Sequence, residues 1–305
     1  MRAMPSGWPA LPFPTWQPTC DTLHMHAQVL GKLAVVLAPP EPELQHAALR
    51  LTARGWQTLP LPAPDGSGVF GVVLDLHAHE TVVETSGERS ARLQLTPNRS
   101  VGSVTRDVLA AVGELAGDVE INLAPSEVPW TVRLDEDEEH ATYEPSQVAT
   151  YLAAATRAAL VLAEVRAPYR GRKTPVNAWW GSFDLAVSLF SGRPAAPPSQ
   201  DFIMRNAMDA QEVAFGWWPG DVRYPKPAFY AYVHPAQPGF EDASLAPGRW
   251  DATLGEYLLD WDDVIAAPDP QATARSFLLG AVRHACAVCA WDPELAATVG
   301  SDPIV

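Results

Sequence analysis

The segment Lys173–Arg193, KTPVNAWWGSFDLAVSLFSGR, leaves the chain the least conformational freedom. From Phe183 onward the apolar side chains Phe183, Leu185, Val187 and Leu189 fall at every second position, the period of a half-buried strand and not of a helix. The intervening residues Ser182, Asp184, Ala186 and Ser188 form a second face, small and smooth, with one carboxylate on it and with Trp180 in the same parity. A face of that composition is either a solvated sheet surface or the floor of a cleft. The Gly181-Ser182-Phe183 triplet lacks the Gly-x-Ser-x-Gly turn that exposes a serine nucleophile, so Ser182 reads as a structural residue at the head of the strand.

On either side of this strand the pattern predicts an α+β chain of two lobes, each a mainly antiparallel sheet flanked by helices: residues 1–125, an acidic connection over 126–144, and residues 145–305. The first lobe opens with a helix over Thr19–Lys32, where Leu23, Ala27 and Leu30 recur at helical spacing and His24, Gln28 and Gly31 form a neighbouring stripe. That stripe either lines a pocket or meets water. Short strands are expected at Leu33–Leu37, Ala47–Ala53, Gln57–Leu61, Val69–Leu76, Thr81–Glu84 and Arg92–Leu95, then a helix over Val101–Leu115 and a strand over Val119–Leu123. Connections this short favour antiparallel neighbours. Asp135–Glu139 reads as a solvated acidic loop. In the second lobe the pattern predicts a long helix from Pro145 to about Arg166, strands at Val213–Trp217, Ala228–Val233 and Glu256–Trp261, and a closing helix over Pro270–Trp291. The shared order of helix, strands and helix is compatible with an internal duplication. So is a local echo between His46–Gly55 and Trp180–Gly192 that sets His46 against Trp180 and Arg50 against Asp184, although ten residues of such similarity also arise by chance.

The motifs WGSFDLAVSLFSGR, FGWWPG, PAFYAYVHP and LGEYLL, with WPALPFPTW, TLHMHAQVLGK and LTARG upstream, resemble an uncharacterised bacterial family of about this length, a domain of unknown function. The resemblance covers nearly the whole chain and implies kinship without an activity. It implies that His24, Gln28, His46, Arg54, His79, His140, Asp184, Glu212 and Tyr230 are family positions, and that Asn177 stands where related sequences usually carry histidine.

Composition narrows the functional classes. A formal charge of −15 with no basic stripe argues against a sequence-independent grip on nucleic acid, which needs a basic surface to release counterions. The N-terminus lacks the pattern of a signal peptide, and no run approaches the roughly 18 apolar residues of a membrane span. A soluble, cytoplasmic protein with no membrane partner is the expectation. The 30 prolines cluster at element ends, where they stiffen connections. Cys286 and Cys289, three residues apart on the closing helix and without a second Cys pair, read as core thiols.

Histidine with carboxylate is the one recurrent polar theme. Asp75, His77 and His79 share strand parity, but His-Ala-His-Glu falls at a hairpin tip where imidazoles are ordinarily solvated, and no metal-binding or phosphate-binding motif occurs. No metal site is therefore assigned, and the sequence leaves any cofactor open. The alternative is a pocket between the lobes. Its candidate catalytic residues are His46, His79, Asp184 and Glu212, with Arg54, Asn177, Trp180, Trp217, Tyr230, His24 and Gln28 as ligand-binding candidates; Trp218 and Tyr232 would add apolar wall. In such a pocket a carboxylate desolvated by tryptophan holds its proton to higher pH, and histidine serves as base near neutrality. Two functions are compatible with this reading. One is an acid/base enzyme acting on a small molecule, with Arg54 binding an anionic group. The other is a non-catalytic ligand-binding or interaction protein that uses a Trp-rich surface.

Overall fold

A computed structural model describes residues 7–301. In the N-terminal half, helix α1 (Phe13–Leu37) leads through a tight segment, Pro42–Ala47, into strands β1 (Arg50–Leu51), β2 (Gly55–Gln57), β3 (Leu61–Pro62), β4 (Val69–Asp75), β5 (Glu80–Thr85) and β6 (Ser90–Gln94), then helix α2 (Val101–Ala116). The C-terminal half runs α3 (Pro145–Arg166), β7 (Asn177–Trp179), β8 (Asp184–Pro194), α4 (Phe202–Ala207), β9 (Ala210–Trp218), β10 (Ala228–His234), β11 (Arg249–Asp251), β12 (Glu256–Asp260), α5 (Trp261–Ala266), α6 (Pro270–Val288) and α7 (Pro293–Ala296).

Both sheets have six strands and are antiparallel, as the short connections predict. The N-terminal sheet is ordered β1-β2-β4-β5-β6 with β3 beside β4, and the C-terminal sheet β11-β12-β10-β9-β8-β7. They meet edge to edge where the backbones of Leu49 and Ala178 exchange hydrogen bonds of 3.0 and 2.9 Å. Helices α1 and α2 pack on the first sheet, α3 and α6 on the second. A continuous apolar cluster runs behind both, and where the halves meet Phe183 lies against Trp56 at 4.8 Å and Tyr151 at 5.4 Å between ring centroids.

Alternation along β8 works as the sequence predicts from Leu185 onward, but Ser182 and Phe183 lie in the turn before the strand, Phe183 with a φ of 57°. Leu185, Val187 and Leu189, with Val213, Phe215 and Trp217 of β9, are fully buried toward the helices. Register places Ala186 beside Gly216, which is beside Tyr230, which is beside Leu258; Ser188 lies beside Ala214, itself beside Tyr232. The second face of this sheet is therefore smooth at its centre, and Ala186, Trp218, Tyr230 and Leu258 form a separate apolar cluster there.

Several expectations require correction. Leu33–Leu37 is the last stretch of α1, not a strand: its valines suggest strand propensity, but Leu33 and Ala34 continue the buried helical face of Leu30. Gln57–Leu61 divides into β2 and β3. Val119–Leu123 stays irregular, with Ile121 and Leu123 packed on the core and no ladder partner among the described residues. The acidic connection is only partly solvated. Leu134 is buried, and the buried Asp137 accepts from the backbone N–H groups of Glu139 (3.1 Å) and His140 (3.0 Å) and pairs with the His140 ring at 2.7 Å. The local echo holds at its start and not beyond: Arg50 opens β1 as its counterpart Asp184 opens β8, but β1 ends at Leu51 whereas β8 runs to Pro194. One helix, α3, is by length and composition apolar enough to cross a membrane; here its apolar residues pack against β8, β9 and α6.

Candidate functional site

Three adjoining cavities of about 120, 340 and 280 Å³ form a groove over the smooth face of the C-terminal sheet and along the seam with α1. Glu127 and Ser182 border all three. The sheet supplies the floor through Asp184, Ala186, Ser188, Glu212, Ala214, Tyr230 and Tyr232. Glu43–Gln45 and the α4 side chains Ile203 and Met204 close one end; Trp218, Arg223, Leu254 and Glu256 line the middle; Cys20, Asp21, His24 and Trp130 line the seam. Residues from both halves therefore wall the same space.

The polar stripe of α1 holds these walls together. The His24 Nε2 lies 2.9 Å from the carbonyl oxygen of Trp180 and 3.0 Å from that of Gly181, so this nitrogen carries the proton and donates. Gln28 both donates to the Ser126 carbonyl and accepts its N–H, each at 2.8 Å, which fixes the loop carrying Glu127. Gly31 lies directly beneath the Trp180 indole, where any Cβ would overlap the ring, and Trp180 Nε1 donates to the Ala47 carbonyl at 3.1 Å. Gly216 has the corresponding role on the floor, because a Cβ there would collide with the Tyr230 hydroxyl. Its absence lets Tyr230 reach Asp184, to which the Tyr230 hydroxyl donates while the Ser182 hydroxyl donates at 2.6 Å.

Two properties separate this groove from the rest of the surface. The first is backbone strain. Eight non-glycine residues among those described have positive φ, and four of them, Glu43 (51°), Leu44 (54°), Glu127 (58°) and Phe183 (57°), border the groove. Such conformations cost energy and persist only where surrounding structure enforces them. The second property is electrostatic. Asp21, Glu127, Asp184, Glu212 and Glu256 make no ion pair with any described residue, and these five are the carboxylates whose proton affinity the fold raises.

Burial is the main cause at each of the five. It carries Glu212 to about 7, reinforced by the nearby Glu43 and Asp209 charges and opposed by the Ser188 hydroxyl and Arg172. Glu256 also reaches about 7, burial being joined by the Asp184 charge. Glu127 keeps a water-accessible side at the mouth, yet the surrounding protein and then Asp184 take it to about 7. Asp21 is raised to about 6. Asp184 is raised by burial against the pull of its two hydroxyl donors. The two cations at hand are already engaged: Arg172 pairs with Glu43, and Arg223 pairs with Asp221 at 2.8 Å.

The structure brings Asp184, Glu212, Trp180 and Tyr230 together in the first cavity and His24 to the seam. Gln28 and Asn177 support the walls. The Asn177 amide donates to Gln45 Oε1 at 2.9 Å and its carbonyl accepts from Arg50, which fastens β7 to the Glu43–Gln45 segment. Four other candidates lie elsewhere. The His46 Nδ1 accepts the Glu41 backbone N–H at 3.0 Å, fixing its own turn. The His79 Nδ1 contacts the Tyr143 hydroxyl at 3.0 Å beyond the β4–β5 hairpin. Arg54 is bound to Asp75, and Trp217 points into the core between Tyr151 and Trp261. Among the described residues no group of three or more His, Cys, Asp and Glu side chains is placed to hold a metal ion.

Glu127, Glu256, Asp21 and the methionines of the α4 region were not anticipated. Glu256 was within reach, because strand parity places it on the face of Leu258 and Asp260, and Leu258 pairs with Tyr230. None of the eleven tryptophans is exposed: seven are buried, and Trp8, Trp130, Trp179 and Trp250 are half-buried.

Fold and groove together define an α+β protein of two edge-joined antiparallel sheets with a carboxylate-lined, aromatic-walled hollow over the second. The chain belongs to a family of unknown function, DUF5996, whose model matches residues 8–298. No curated protein and no solved structure matches it significantly.

Proposed function

We propose that the groove is a small-molecule site and that Glu212 and Asp184 do acid/base work in it. The observation that supports this reading is the gathering into one cavity system of every carboxylate with raised proton affinity among the described residues, since groups so displaced cluster at sites where chemistry uses them. Glu212 near 7 can both hold and release a proton at physiological pH. Asp184, fixed by Ser182 and Tyr230, would orient a ligand group or stabilise charge. A second reading, binding without catalysis, is favoured by Asp184 itself, because both its oxygens already accept a hydroxyl.

Filling the floor tests the site. A fragment library of neutral, cationic and anionic molecules, followed by ligand-observed NMR, is expected to give hits that disappear in Ala214→Trp while the fold, checked by circular dichroism, is retained. Hits indifferent to that substitution, or none at all, would remove the groove as a ligand site.

A further inference from the structure

The groove has a charge imbalance that no described side chain corrects, and this selects its ligand. The Glu212 carboxylate is 3% exposed, borders the cavity and has no ion-pair partner among the described residues, only the neutral Ser188 hydroxyl beside it. The groups facing it are the Ser188 hydroxyl on β8, Asp209 at the start of β9, Tyr232 and His234 on β10, Glu43 from the N-terminal half, and Arg172. Arg172 is already committed to Glu43, and burial lowers the proton affinity of His234, whose ring donates to the Ala196 carbonyl at 3.1 Å. An anion entering here would meet unbalanced negative charge. A neutral polyol would leave that charge uncompensated in a partly dry space. A cation supplies the missing counter-charge, and Trp179, Tyr230, Tyr232, Met204 and Met208 offer polarisable surface to an aliphatic body.

We propose that the groove binds an aliphatic amine as its protonated cation, with the ammonium group on Glu212 and the hydrocarbon chain along the floor toward Glu127 and Glu256. The proposal rests on the small-molecule reading above and specifies its ligand class. It has a thermodynamic signature. Glu212 retains its proton to about 7 in the free protein and must lose it to pair with the ammonium, so binding releases a proton below neutrality and tightens as pH rises.

The probes are butylamine, diaminobutane, butanol and butanoate, titrated calorimetrically into the full chain at pH 6 and pH 8, each in two buffers of different ionisation enthalpy. Butylamine is expected to bind at least about tenfold more tightly than butanol or butanoate, and more tightly at pH 8 than at pH 6. Diaminobutane should match or exceed it if the second ammonium reaches Glu127 or Glu256. Glu212→Gln should weaken the amines by about tenfold or more and abolish proton release. Amine binding unchanged in Glu212→Gln would mean loose attraction to an acidic surface and would overturn the assignment, as would butanol binding equal to butylamine. If butanol or a neutral fragment binds and Ala214→Trp blocks it while the amines do not bind, the site stands and the ligand class is wrong. If no probe or fragment binds, both readings fail.

Discussion

Replacing Glu212 with glutamine should stabilise the protein, by an amount that grows from the pH at which the unfolded carboxyl ionises to the pH at which the native one does. In the unfolded chain the carboxyl titrates at 4.5; in the folded protein burial carries it to about 7. Between those values the folded state binds more protons than the unfolded state, so stability falls as pH rises, and the full penalty is present above about 7. At about 1.4 kcal/mol per pH unit of displacement the penalty is about 3 kcal/mol. Glutamine keeps the shape and the capacity to bond Ser188 but never ionises. Thermal or urea unfolding of both proteins should therefore agree within about 0.5 kcal/mol near pH 4, differ by about 1 kcal/mol near pH 5 and separate by about 3 kcal/mol near pH 8, roughly 5 °C in melting temperature, with the variant more stable. The other titrating groups, including Glu43, Asp209, Tyr232 and His234, are common to both proteins and largely cancel in the difference. A gap that stays flat from pH 5 to pH 8, or that favours wild type at the upper end, would refute the reasoning that Glu212 is desolvated and without a counter-charge.

The Arg54–Asp75 pair should prove one-sided. Arg54 is about half exposed, so Arg54→Ala should cost about 1 kcal/mol or less, whereas the buried Asp75 also accepts from the N–H groups of His77 and Ala78 at 3.1 and 3.0 Å and Asp75→Ala should cost about 2–3 kcal/mol in urea unfolding; equal costs would contradict this. His26, whose Nδ1 is buried without a partner, is held down to about 3 chiefly by burial, so stability is lost as pH falls through 6.5, by about 2 kcal/mol near pH 5. His26→Leu should flatten that acid limb, leaving the part due to His24, and an unchanged slope between pH 7 and pH 5 would disprove it.

Strands were legible where the chain itself specifies both faces. Asp184 to Leu189 alternates because one side meets α3 and the other must stay low enough for Tyr230 to cross Gly216, and both requirements appear as residue size. Leu33–Leu37 was misread because two valines favour a strand, while the continuing buried face against the N-terminal half decides for helix. Asn177–Trp179 was invisible as a strand because its pairing depends on Leu49 of the other half and on Asp184–Ala186, partners that a local pattern does not show.

The candidate site divides along the same line. Asp184, Glu212 and Tyr230 lie on strands whose parity places them on one face, so their meeting follows from register. His46, His79 and Arg54 rested on side-chain chemistry and the family resemblance, with no strand register to place them, and each proves to be satisfied by a neighbour within its own half or beside it. Glu127 and Asp21 share the groove only because Gln28 clamps Ser126 and His24 clamps the Trp180–Gly181 turn, bonds that span 98 and about 156 residues of sequence. Those long-range clamps also explain why the strain and the unpaired carboxylates coincide. A left-handed Phe183 stacked on His24 and a left-handed Glu127 beside Gly181 direct the two sides of the turn into one hollow, and neither conformation would persist without the α1 stripe. A packing accident would relax both the backbone and the charges. In the proposal made above, the counter-charge that these carboxylates lack within the chain comes from a ligand.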